Sequence, residues 1–177
     1  MIVTALHPAA YEDAIDGLAE LLVDAVDHGA GVNFMAGVTA DETRTWWEER
    51  RDGVTAGTTV PVVAIDDDGR VVGSTVLLYA WNPNSPHRGE ISKVIVHSSA
   101  RRRGLGRLLM EAAEARSLAD GRWLLTLDTV TGSDADAFYR SLGWNEVGVV
   151  PDFALMPDGT LTPTTYFWKD LRAAGRA

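Results

Sequence analysis

The segment "HSSARRRGLGRLLMEAAE", His97 to Glu114, packs four arginines and two glycines into the seven residues from Arg101 to Arg107. It lies where a β-branched run, "EISKVIVHS", gives way to apolar residues at helical spacing. The first N–H groups of a helix lack intrahelical partners, and the helix dipole places partial positive charge there. Glycines at 104 and 106 let a ligand approach the backbone closely, while Arg101, Arg102, Arg103 and Arg107 add full positive charge. Such a set suits a phosphate, and a pyrophosphate matches the size of the loop. The spacing fits neither the P-loop nor the dinucleotide fingerprint Gly-x-Gly-x-x-Gly. On physics alone a second reading stays open: a solvated basic helix start, with glycines that only turn the chain. Two acids point to other chemistry. Glu90 opens the run before the arginines and Asp128 lies in "RWLLTLDTV", each beside apolar neighbours. They read as proton acceptors or as attractors of a cation. The plainer alternatives are a solvated strand end for Glu90 and a turn or helix cap for Asp128.

The rest of the chain excludes several function classes. Its 177 residues, 46% hydrophobic and 23% charged, have the composition of an ordinary globular protein, expected to form one domain over 1–177. With no cysteine, disulfides, thiolate metal sites and a cysteine nucleophile are excluded. His7, His28, His87 and His97 lie far apart without metal-ligand spacing, so no metal is expected. A net charge of −9 argues against a general nucleic-acid binder and makes the arginine cluster a local feature. An acidic body also steers cationic small molecules towards a site. The opening "MIVTALHPAAYEDA" shows no signal-peptide pattern, and no apolar run approaches the ~18–20 residues of a membrane span. The expectation is a cytoplasmic protein with neither a membrane nor a nucleic-acid partner.

The elements that must position these residues follow from periodicity. A short strand, Ile2 to Leu6, precedes a helix over 8–27 with Ala14, Leu18, Leu21, Leu22 and Ala25 at helical spacing. A glycine-rich loop, "DHGAGVNFMAG", carries Phe34 and Met35, too apolar for a plain connector. "TADE" then caps a second helix, from about Thr39 to near Gly53, which carries Trp46 and Trp47. "TVPVVAID" and "VVGSTVLLYAW" flank "DDGR" as a hairpin. "EISKVIVHS" is a fourth strand, and 105–119 an amphipathic helix with Leu105, Leu108, Leu109, Ala112 and Ala115 on or near one face. "RWLLTLDTV" reads as a strand buried on both faces, 133–142 as a short helix, and "GWNEVGVVP" and "PTTYFWKDL" as the last strands. The order is β-α-α-β-β-β-α-β-α-β-β, an α+β fold with a crossover between parallel strands at its centre. The tryptophans are core candidates, with Trp81 and Trp46 or Trp47 as alternative walls of a groove.

Two motifs resemble the GCN5-related N-acetyltransferase (GNAT) family. In "VIVHSSARRRGLGRLLM", Arg101, Gly104 and Gly106 fill the family pattern Arg/Gln-x-x-Gly-x-Gly/Ala, which binds acetyl-CoA. "DADAFYRSLGW", Asp134 to Trp144, resembles its second signature, a helix ending in Tyr, Leu, Gly and an aromatic. The resemblance implies a mixed sheet of six to seven strands flanked by about four helices. From about residue 28 to the C-terminus, "HGAGVNFMAG", "RGEISKVIVHSSARRRGLGRLLME" and "PDGTLTPTTYFWKDL" are similar to the tabtoxin-resistance branch, which acetylates an amino acid-like toxin.

The resemblance also implies roles. The coenzyme A pyrophosphate is expected on the backbone N–H groups of Arg102, Arg103, Gly104, Leu105, Gly106 and Arg107, with the pantetheine arm along Val94, Ile95 and Val96 as an added strand. A backbone N–H there would stabilise the oxyanion that forms when an amine attacks. An ammonium must first lose a proton, and Glu90 and Asp128 match the branch's proposed bases. Tyr139 matches the tyrosine that points at the sulfur and would protonate the leaving thiolate; its plainer role is core packing. Phe34 and Met35 are candidate walls of the acceptor pocket, and Ser133 and Phe138 are placed on the cofactor side. Where many members have an asparagine that contacts pantetheine, this chain has Gly132 followed by Ser133. The implied partners are acetyl-CoA and a small amine, with resistance or detoxification as the role and a monomer or homodimer as the state. Acetylation of a peptide or protein amine, with an open groove, and an acyl-CoA-binding module without catalysis are the competing readings.

Overall fold

The computed structural model describes residues 1–172. One sheet runs through them in the order β1-β2-β3-β4-β5-β7-β6, formed by β1 (Ile2–Ala5), β2 (Thr59–Ile65), β3 (Val71–Tyr79), β4 (Arg88–Val96), β5 (Leu124–Val130), β6 (Asn145–Leu155) and β7 (Leu161–Asp170). Among the described residues only β4 and β5 pair in parallel, joined by α4 (Leu105–Ala119). α1 (Pro8–Asp27), α2 (Ala40–Glu48) and α3 (Arg51–Thr55) separate the first two strands, and α5 (Asp134–Ser141) separates β5 from β6. The element order and the α+β class agree with the sequence reading.

Alternation along the strands divides the core between two faces. Val60, Val62 and Ala64 of β2 pack with Leu105, Leu109, Met110 and Ala113 of α4. The intervening Val63 packs with Tyr11, Leu18, Leu21 and Leu22 of α1. Each large side chain so buried stabilises the fold by roughly 1.5–3 kcal/mol. Leu108, expected on the buried face of α4, instead faces solvent at 49% exposure. The helix turns its Leu105–Leu109–Met110–Ala113 stripe to the sheet.

Three further expectations are corrected. The second helix breaks at Glu49–Arg50, because Arg50 turns its guanidinium back over the Trp46 ring and donates to the Trp46 carbonyl. A side chain thereby takes a carbonyl that a longer helix would have used. β5 is not buried on both faces: Leu125 and Leu127 are buried while Asp128 is exposed, since a cleft opens beside it. β6 runs on to Leu155, with its pairing interrupted between Val150 and Ala154, where Pro151 lies.

Candidate active site

β4 and β5 pair only from Arg88↔Leu124 to Glu90↔Thr126 and then part. Beyond Glu90 the β5-facing edge of β4 has no strand partner, and a cleft opens between the two. β4 is also bulged. Its pairing with β3 steps from Ser74↔Ile95 to Val76↔Ser92, two residues against three. Lys93, at φ 51, lies in the inserted turn of the backbone, and Ser74 Oγ fixes it by donating to the Lys93 carbonyl at 3.0 Å. A bulge re-aims side chains and ends pairing, which is what β4 does here.

A cavity of about 350 Å³ fills the cleft. Its walls come from Glu90–Val94 of β4, Asp128–Val130 of β5, Tyr139 of α5, Phe153–Met156, Thr162–Thr164 and the Gly29–Asn33 loop. Local contacts hold that loop in place. Gly31 approaches Met156 so closely that a Cβ would lie 3.1 Å from its Sδ, and the Ala36 N–H donates to the Pro157 carbonyl at 3.0 Å. At the other end, Asp24 of α1 accepts from the Ser98 N–H at 2.8 Å and the Ser98 hydroxyl at 2.6 Å. One carboxylate thus ties the root of the Gly29–Asn33 loop to the start of the arginine-glycine segment.

The cavity is electrically divided. Glu90 and Asp128 carry negative charge and Lys93 positive charge, and no other lining residue is charged. Glu90 is exposed as a residue, yet burial of its carboxyl, and then the nearby Asp128 charge, raise its pKa above the usual carboxylate value. Asp128 Oδ2 accepts a 3.0 Å hydrogen bond from Thr164 Oγ1, which orients it. Lys93 is 7% exposed, and burial followed by the Arg50 charge lowers its pKa to about 8. Tyr139 is buried, and burial followed by Asp128 raises its phenol above the ordinary value. Among the described residues, no hydrogen-bond partner engages its hydroxyl.

On the far side of β4, a 3-10 turn (Ser98–Ala100) leads to a loop with left-handed residues at Arg102 (φ 64) and Gly104 (φ 78). Gly104 is the N-cap of α4, and among the described residues no side chain caps that helix; the Arg107 N–H turns back to the Gly104 carbonyl at 3.1 Å, while those of Leu105 and Gly106 are left for a ligand. A Cβ on Gly106 would lie 3.4 Å from Phe138 of α5, which packs against the core and does not line the cavity. Arg101, Arg102, Arg103 and Arg107 are exposed, and among the described residues none pairs with a carboxylate. Arg101 Nε donates back to the Val96 carbonyl at 3.2 Å, so this arginine anchors the loop to β4. An uncapped fifteen-residue helix, left-handed backbone and free cations together fit a diphosphate.

The residues expected from sequence divide accordingly. Glu90, Asp128 and Tyr139 share one cavity, which Val94 and Ser133 also line. Ile95 turns away into the core beside α1, while Val96 packs on the α4 side. Ser133 caps α5, accepting from the Asp136 N–H at 3.2 Å and donating to the Val130 carbonyl at 2.7 Å. Phe34 and Met35 are not in the cavity wall. Phe34 packs edge-on against Trp46 at 6.1 Å and Met35 is exposed; the preceding Gly29–Asn33 forms the wall instead. No tryptophan lines the cavity either: Trp47 is fully buried and Trp81 is exposed. His7 caps α1, His28 ends it, His97 caps the 3-10 turn and His87 stacks on Trp123. Sequence reasoning misses Lys93, since a lone lysine in a strand run carries no signal of a bulge. No helix among the described residues is long and apolar enough to cross a membrane.

A family model described as the acetyltransferase (GNAT) family matches residues 18–144. Solved structures share the fold. The ribosomal-protein-alanine N-acetyltransferase from Brucella melitensis has a TM-score of 0.73 at 24% identity, covering 96% of this chain and 99% of its own. yncA from Salmonella typhimurium, solved with its cofactor acetyl-CoA, has a TM-score of 0.73 at 21% identity over 97% and 94%. Aminoglycoside 6'-acetyltransferase type Ii has a TM-score of 0.71 at 21% identity, covering 97% of both chains. The two of these neighbours whose names state an acceptor differ in it, a protein alanine against an aminoglycoside, as expected where one fold carries many sites. The chain belongs to the acetyltransferase (GNAT) family, whose donor is acetyl-CoA.

Proposed function

We propose that the protein, acting as one domain in the cytoplasm, acetylates the amine of a small metabolite, an amino acid-like toxin or antibiotic. The observation that carries this reading is the cavity that opens where β4 and β5 part, with both Glu90 and Asp128 in its lining. Similarity to the tabtoxin-resistance branch, which extends to the Gly29–Asn33 wall, supports the acceptor class. A walled cavity of about 350 Å³ suits a small molecule. It favours this class over a peptide, which needs an open groove.

Bound acetyl-CoA supplies an activated thioester carbonyl. The N–H groups from Arg102 to Arg107 would hold its diphosphate and the edge at Val94–Val96 its pantetheine arm. Glu90 and Asp128 attract the acceptor ammonium, and one of them takes its proton, freeing the nitrogen lone pair. The raised pKa of Glu90 makes it a stronger base than an ordinary carboxylate. A backbone N–H of β4 meets the charge that develops on the carbonyl oxygen. That charge develops as the C–N bond forms; the C–S bond then breaks, and the second proton on nitrogen passes to the departing thiolate, releasing CoA as its thiol. Tyr139 keeps its proton at neutral pH, because its phenol is pushed further above ~10 while a thiol titrates near ~8.5. Its O–H therefore acts on the departing sulfur as a hydrogen-bond donor more than as a full acid.

The test is CoA release from acetyl-CoA across a panel of amino acids, dipeptides and aminoglycosides, followed by Glu90→Gln with Asp128→Asn. Loss of the base should lower kcat by roughly 10²–10⁴-fold with the donor KM within about three-fold. Unchanged turnover would overturn the assignment, and donor binding without turnover of any amine would favour the non-catalytic module.

A further inference from the structure

Lys93 lines the cavity but has no part in the transfer just described. It is 7% exposed, and among the described residues no carboxylate lies within ion-pair distance of its ammonium. Its Nζ lies 4.8 Å from the Trp46 ring, which also carries the Arg50 guanidinium at 3.2 Å, while Asp128 and Glu90 act on it from beyond ion-pair distance. Buried cations are normally paired, because a ring face offsets only part of the lost hydration. A second cation beside it adds repulsion. The bulge at φ 51 nevertheless directs this residue into the wall, with Ser74 holding the backbone. With its pKa at about 8, the ammonium remains charged at neutral pH. The result is a dehydrated, unpartnered positive charge in the same cavity as two carboxylates.

We infer that Lys93 receives a carboxylate of the acceptor, so that the acceptor is a zwitterion with its amine on Glu90 and Asp128 and its acid on Lys93. This rests on the proposed acetyl transfer and narrows its substrate class. A ligand carboxylate supplies the contact ion pair that Asp128 and Glu90, acting only at a distance, do not, and its fixed position holds the amine at the thioester. Lys93 is thus a specificity-determining residue. Amines without an acid leave its charge unpaired in a cavity they have dried, a cost that discriminates against them.

Matched pairs test this: tyrosine against tyramine, and ornithine against putrescine, with wild type, Lys93→Met and Lys93→Arg. Wild type should prefer the carboxylated member at least ten-fold in kcat/KM. Lys93→Met should erase that ratio from both sides, raising KM for the acid and lowering it for tyramine and putrescine, which no longer strand a buried charge. Lys93→Arg should restore most of the ratio, which a variant that merely misfolds would not allow. Equal loss on both members of each pair would overturn the inference and mark Lys93 as a base or a packing residue. So would a wild type with no preference. If wild type acetylates nothing in the panel, the transfer reading fails for these amines, and calorimetric titration of the CoA-loaded protein with the same pairs decides the inference separately. Tighter binding of the acid that depends on Lys93 supports it; equal or absent binding overturns it.

Discussion

The arginine-glycine loop and the cavity adjoin along β4, and the two sites proposed there would hold their ligands by different means. The loop offers backbone: left-handed turns at Arg102 and Gly104 and an uncapped helix start within six residues of chain. The cavity offers charged side chains from separate stretches, Glu90 and Lys93 on β4 and Asp128 on β5, oriented by Thr164 and enclosed by Gly29–Asn33. A backbone cradle is indifferent to most side-chain changes and sensitive to conformation. A side-chain pocket is the reverse, and it depends on protonation. One half is suited to a donor that never varies, the other to acceptors that differ between relatives.

The largest expected divergence is in pH. Glu90 must be ionised to accept a proton, and burial and then Asp128 hold its pKa above the usual 4.5. Acceptor kcat/KM should therefore fall about ten-fold per pH unit below that raised pKa, while donor binding stays flat. The inflection should vanish in Glu90→Gln. Stability has the opposite sign. A carboxyl whose folded pKa exceeds its unfolded one adds stability below the unfolded pKa, and that contribution disappears as pH rises through the folded pKa. Glu90→Gln should therefore melt at or above the wild-type temperature at pH 7 while losing turnover. A lower melting temperature would mean that the glutamate is structural and that the two halves do not divide as described.

Next in size is the cradle itself. Gly104 adopts φ +78, and a Cβ there would meet nothing within 4 Å, so a substitution brings strain rather than a clash. A β-branched residue held so costs roughly 1–3 kcal/mol, or about 5- to 150-fold in equilibrium terms. Gly104→Val should raise the acetyl-CoA KM within that range and leave kcat at saturating donor within about three-fold. A fall in kcat alone would show that the loop positions the thioester as well as the diphosphate.

The same contrast explains what could be read from sequence. The cradle is local: strand, Arg101, Gly104, Gly106 and helix are contiguous, and each glycine has a steric reason visible in the string. Glu90 and Asp128 stand out because acids beside apolar runs are costly without a purpose. Lys93 does not, because a bulge depends on pairing between β3 and β4, which no single strand encodes. The wall formed by Gly29–Asn33 is placed by sequence a few residues too far along, at Phe34 and Met35. Apolar character there reflects packing on Trp46, whereas the wall is made by backbone that side-chain types do not reveal. The break at Arg50 is hidden for a related reason, since it follows from where the arginine reaches rather than from helix propensity.

The smallest effects separate backbone from side chain within the cradle. Arg102, Arg103 and Arg107 are exposed and unpaired among the described residues, so their attraction for a diphosphate acts through water and salt. Exposed charge pairs contribute roughly 0.2–1 kcal/mol, or about 1.5- to 5-fold each. Single alanine variants should raise the donor KM by that much at low salt and by less at about 0.5 M, where the Debye length falls to roughly half its physiological value. The Gly104→Val defect should not respond to salt, since strain is not screened. Arg101→Ala should behave differently from the other three, because its guanidinium is committed to the Val96 carbonyl and its loss loosens the loop from β4. If one of the three free arginines instead cost a hundred-fold, the cradle would work as a side-chain clamp, and the distinction between the two halves of the site would collapse.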